Sequence, residues 1–135
     1  MPDTTSDEVL CTRGGQRYVD LREHYDFIAG AVARHAPGAP TSGNVYLPAE
    51  INTQVPPKLD ARLQGRINDR TYVEVWVFLG PDGKAKESLV VCSTDRFLND
   101  AARRSAMSIS AVPSRLDGRA TFTVVPLAFP ADQFR

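Results

Sequence analysis

The chain has 135 residues, 42% of them hydrophobic, and a formal net charge of zero from 16 basic and 16 acidic side chains. That length favours one domain with its own buried core, and the balanced charge offers no field to gather nucleic acid or an anionic membrane surface. No run of about 18 apolar residues occurs, so no membrane-spanning helix is expected.

The opening stretch, "MPDTTSDEVLCTRGG", is polar and acidic and carries no apolar period. Residues 1–15 are expected to form a flexible arm. The stretch lacks the basic and apolar regions of a secretory signal, which leaves a cytoplasmic protein or the soluble part of a longer one. The two cysteines, Cys11 and Cys92, form no CxxC pair. Two readings stay open: one buried thiol and one on the arm, or a disulfide that ties the arm to a sheet in an oxidising compartment.

Residues 16–58 form the second segment, a helix followed by an extended connector. From Gln16 to His35, the residues Tyr18, Leu21, Tyr25, Ile28 and Val32 recur at steps of three and four, one stripe of an amphipathic helix. "APGAP" ends it, because proline cannot continue a helix. The connector Gly38–Lys58 is proline-rich, with a short extended piece over Asn44–Leu47, and is expected to run over a surface.

Residues 59–135 form the third segment. "LDARLQGR" suits a turn or two of helix stopped by Gly65. In "TYVEVWVFL", Val73, Val75, Val77 and Leu79 point one way, and Tyr72, Glu74, Trp76 and Phe78 the other. Both sets are largely apolar, which predicts a central strand covered on one face and partly on the other. "GPDGK" reads as a hairpin turn with a positive φ at Gly83, and Ala85–Val91 as the return strand. A helix follows in "CSTDRFLNDAARRSAMSIS", with Ser93 or Thr94 as cap and a flat face of small residues. A second turn at Asp117-Gly118 leads to the last strand, "TFTVVPLAF", over 121–129. Pro126 cannot donate a ladder hydrogen bond, so that strand belongs at a sheet edge. The predicted fold class is α+β: a three-stranded antiparallel sheet (β-β-α-β) with one helix across it, preceded by the amphipathic helix.

In this order, the pieces resemble the C-terminal domain of the TonB/TolA-type energy transducers, the TonB family. "YVEVWVFLGPDGK" resembles the family's alternating strand and DGK turn. "ESLVVCSTDRFLNDAARRSA" is similar to its return strand and helix, and "AVPSRLDGRATFTVVPLAF" to its loop and last strand. "VYLPAEINTQVPPKLD" looks like the lead-in of some members. The resemblance spans residues 66–129 best. It implies a periplasmic interaction module that acts without catalysis and binds by strand addition in transport across the cell envelope. The expected partner is an extended segment of an outer-membrane receptor or envelope-complex subunit, laid along Thr121, Phe122, Thr123, Val124, Val125 and Leu127. A second copy on the same edge, giving a homodimer, is the alternative occupant. The edge physics agrees, since an unpaired strand edge recruits a partner through main-chain hydrogen bonds.

No catalytic, cofactor or metal site is expected. His24 and His35 lie 11 positions apart on one helix, about 16 Å along its axis, too far to share a metal. Cys92, Ser93, Thr94 and Asp95 are nucleophile types at a strand end without a positioned histidine. No phosphate-binding glycine motif is present. Two other functions compete with the interaction module: a structural or adaptor subunit of a secretion or pilus assembly, and a small cytoplasmic regulatory domain.

Overall fold

The computed structural model describes residues 16–17 and 21–135, and it is built around the strand Tyr72–Leu79 (β4). β4 lies between Ala85–Ser93 (β5) and Thr123–Pro130 (β9), antiparallel to both. Gln16–Arg17 (β1) adds to the outer side of β5, pairing Gln16 with Ser93 and Arg17 with Cys92. The architecture is α+β with antiparallel sheets, but the main sheet has four strands in the order β1-β5-β4-β9, not three. The expected helix from Gln16 is corrected accordingly: Gln16 and Arg17 pair with a strand, and helix α1 spans Leu21–His35. Residues 1–15, including Cys11, and Tyr18 lie outside the described residues.

The alternation in β4 decides the layers. Val73, Val75, Val77 and Leu79 enter one cluster with Leu98, Ala102, Ala106, Ile109, Phe129 and Phe134. The helix on this face, Asn99–Met107 (α3), is preceded by a 3-10 turn over Arg96–Leu98. The turn is capped by Asp95, whose Oδ1 accepts from Phe97 N at 3.0 Å, not by Ser93 or Thr94. Alanines at 101, 102 and 106 let α3 lie close to the sheet.

On the opposite face α1 covers Trp76 and Phe78. Its buried stripe differs from the expected one. His24 and Ala31 are buried, while Tyr25 is 68% exposed. His24 stacks on Trp76 with ring centroids 3.7 Å apart and planes 18° apart. A hydrophobicity pattern ranks tyrosine above histidine, yet both have flat apolar bodies and polar tips, and the tertiary partner chooses between them. One helix therefore lies on each face of the sheet, α3 on one and α1 on the other.

The connector is not bare coil. Tyr46–Leu47 (β2) pairs with Ser114–Leu116 (β7), which pairs with Arg119–Thr121 (β8). Glu50–Thr53 (β3) pairs with Ser110–Val112 (β6). Two short helices, Ala61–Gln64 (α2) and Ala131–Phe134 (α4), complete the chain. α2 is capped by Asp60, and Phe134 of α4 plugs the main core. No helix among the described residues is long and apolar enough to cross a membrane.

Candidate functional site: the outer edge of β9

The main sheet has two edges at which a partner strand could dock. β5 carries two irregularities in its pairing with β4, one between the Glu74 and Val75 pairs and one between the Phe78 and Leu79 pairs. The extra residues are Val91 and Lys86, and bulges of this kind twist an edge away from straight pairing. β1 already covers β5 at Cys92 and Ser93. β9 pairs with β4 through eight consecutive residues without a shift, from Tyr72↔Pro130 to Leu79↔Thr123. Its other side has no strand partner among the described residues.

Which backbone groups of β9 face outward follows from β4. Tyr72 turns both its N–H and its C=O toward β5: its N donates to Thr94 Oγ1 at 2.9 Å, and its O accepts from Thr94 N at 2.9 Å. Gly80 N, at the other end, also donates across the hairpin, to Lys84 O at 3.0 Å. Alternation along an unbroken strand then directs Val73, Val75, Val77 and Leu79 toward β9. Their partners Phe129, Leu127, Val125 and Thr123 spend their backbone groups on β4. Val124, Pro126, Ala128 and Pro130 are left with backbones turned outward. Both prolines of the strand thus sit where no ladder bond to β4 is lost.

At the start of β9 the edge opens into a groove of about 370 Å³, lined by Ile28, Tyr46, Leu116, Phe122 and Val124 with Pro40 and three threonines. No charged side chain lines it. Three contacts hold its walls. Asp117 accepts from Val45 N at 2.8 Å and from Asn44 N, which pins β2 beside the β7–β8 hairpin. Tyr46 Oη lies 3.2 Å from Thr123 Oγ1. Thr121 Oγ1 donates to Pro40 O at 2.8 Å.

The expected contact residues are distributed unevenly over this edge. The anticipated strand 121–129 is split: Thr121 ends β8 and is buried, and Phe122 stands between the two strands. At the break the hydroxyl of Ser114, itself buried, shares its proton between the carbonyl oxygens of Thr121 and Phe122, at 3.1 and 3.2 Å. Phe122 stacks on Phe78 at 5.4 Å. Thr123, Val125 and Leu127 face β4 with their backbones, so of the six only Val124 offers both an N–H and a C=O outward from β9. The groove residues Ile28, Tyr46 and Leu116 were not anticipated. The signal for Tyr46 was the apolar "VYL" at 45–47, out of place in a proline-rich connector.

The groups with chemical potential elsewhere are spent on structure. Cys92 is fully buried and disulfide-bonded. Ser93 Oγ accepts from Asp95 N at 3.1 Å. Asp95 pairs with Arg66 at 2.7 Å, and hydrogen bonding from that guanidinium holds its carboxyl below the usual range against the opposing effect of partial burial. His35 Nε2 lies 2.8 Å from Glu87 Oε2. No group of three His, Cys, Asp or Glu among the described residues is placed to hold a metal ion. In comparisons with known proteins, no family model and no curated protein matches the chain.

Proposed function

We propose that this chain is a non-enzymatic protein–protein interaction module of the TonB C-terminal type. It works in the periplasm and binds an extended partner segment along the outer edge of β9, in energy transduction to outer-membrane transport. The observation that carries the reading is an unshifted terminal strand whose outward backbone, at Val124, adjoins an uncharged apolar groove. Main-chain bonds supply the docking, at about 0.5–1.5 kcal/mol net each, and the groove supplies side-chain selection. The disulfide at Cys92 supports an oxidising compartment.

The test is site-specific photo-crosslinking in envelope fractions. A photoreactive residue in place of Val124 is expected to yield adducts that map to one extended segment of an envelope protein. The same residue in place of Arg103, exposed on α3, should not. Adding Ala128→Pro should leave the Val124 adduct intact, whereas Val124→Pro, checked for folding by circular dichroism, should abolish binding of the mapped segment. Adducts that appear equally at Arg103, or a folded Val124→Pro variant that binds like the parent, would sink the reading.

A second reading is an adaptor subunit in a secretion or pilus assembly. It draws on the apolar surface of the connector, where Val45, Tyr46 and Leu47 are 59%, 50% and 56% exposed. An area of this kind is typical of a covered surface. Stable co-elution with envelope subunits, with Tyr46 protected, would favour it.

A further inference from the structure

We propose that the β9 edge accepts one short segment of a different chain at Val124 and refuses a second copy of itself. The inference rests on the reading of β9 as the binding edge and decides between its two candidate occupants. The outward positions run Val124, Pro126, Ala128, Pro130. A proline has no N–H to give, and its ring carbon stands where that hydrogen would point, against the carbonyl of any strand laid alongside.

Two copies related by a two-fold axis would pair β9 antiparallel with itself, and outward positions would have to oppose outward positions. Every register that opposes two or more of them seats a proline of each copy against the other's backbone. When Val124 opposes Ala128, Pro126 faces Pro126. When Val124 opposes Pro126, the ring meets the Val124 carbonyl, and when Ala128 opposes Pro130 the same happens at the far end. Edge prolines are a known means of blocking sheet-to-sheet association.

A segment from another chain is free of that symmetry. It can take the N–H and C=O of Val124, stop short of Pro126, and leave past Phe122 over the groove. The Phe122 carbonyl is already bonded to Ser114, so the ladder is short at that end as well. Two or so main-chain bonds fix direction but little affinity, and a side chain in the groove must provide the rest. The groove's uncharged lining selects a bulky apolar residue in that segment over a charged one.

The experiment compares self-association of the oxidised full chain with that of Pro126→Thr/Pro130→Thr by sedimentation equilibrium. Threonine favours strands and caps helices, so both positions, including the N-cap of α4 at Pro130, tolerate it. A Pro126→Thr single variant, which leaves that cap in place, is run beside it, and melts establish that each is folded. Restoring the donors is expected to tighten self-association at least about tenfold. A ratio near one, in the double variant or in the single variant if only that folds, overturns the proposal. The ratio does not depend on any partner, so a failed crosslinking experiment and a failed self-association experiment are separate results.

Discussion

At the scale of single residues, two glycines with the same backbone angle do different work. Gly83 has φ +78° and Gly118 φ +81°. Both lie in the left-handed region that disfavours a side chain. A Cβ on Gly83 would also stand 1.9 Å from Ala111 O, because Ala111 N donates to Gly83 O at 2.9 Å and the two backbones touch. Around Gly118 there is nothing within 4 Å. Gly118→Ala is therefore expected to cost about 1 kcal/mol for the backbone angle alone. Gly83→Ala must in addition push the β6 segment away, and we expect it to cost at least twice as much, on the order of 2–4 kcal/mol. Urea titration of the two variants reads the difference. Equal losses would mean that the Gly83–Ala111 approach relaxes freely. The turn itself was legible in "GPDG", but the need for bare backbone at Gly83 was not, because Ala111 is far away in sequence.

At the scale of elements, α1 is fastened to the sheet by more than its apolar stripe. Arg34 gives Glu87 two hydrogen bonds, from Nε at 2.6 Å and Nη2 at 2.7 Å, and His35 adds a third contact at 2.8 Å. Hydrogen bonding from Arg34 holds the Glu87 carboxyl below the usual carboxylate range, against the upward push of partial burial, and His35 adds to the lowering. A carboxyl whose folded pKa lies below its unfolded one contributes stability that is complete above the unfolded value, about 4.3, and fades as pH falls through the folded value. Asp82, bonded by Lys86, and Asp95, bonded by Arg66, are shifted in the same direction. Glu87→Gln should lower the urea midpoint at pH 7 and lower it progressively less below about pH 4. A deficit as large at pH 3 as at pH 7 would assign the contact to packing instead of charge.

For the molecule as a whole, the two flanks of the sheet are closed by different means. One is covered at its end by β1, beside the disulfide-bonded Cys92, and twisted by two bulges. The other is interrupted by two prolines, which leave outward N–H groups on β9 only at Val124 and Ala128. The chain's second cysteine is Cys11, so a bond within one chain closes residues 11 to 92. Loop closure on that scale stabilises by up to roughly 4 kcal/mol. Protein recovered from an oxidising compartment should show no free thiol under denaturing, non-reducing conditions, migrate as a monomer, and melt lower after reduction. A thiol count of two, or a reducible dimer band, would remove the intrachain closure.

Period-two alternation in Tyr72–Leu79, the GPDG and Asp117-Gly118 turns, and the small residues of 101–106 are short-range signals, and each was readable from the chain alone. They determine an α+β protein with a central two-faced strand and a close-packed helix, because local backbone preference and side-chain period act over a few residues. Pro126 likewise announced an edge, since its missing donor is a property of one residue. Pairings between distant segments were not readable in this way. β1 joining β5, the connector splitting into β2 and β3, and His24 chosen over Tyr25 for the interior all depend on which groups meet across 50 or more residues or on which surface a helix finds. The outward phase of Val124, Pro126, Ala128 and Pro130 was decided in the same way. It is set by the hydrogen bonds of Tyr72 to the opposite neighbour, and strand register is a property of the assembled sheet, not of any one strand.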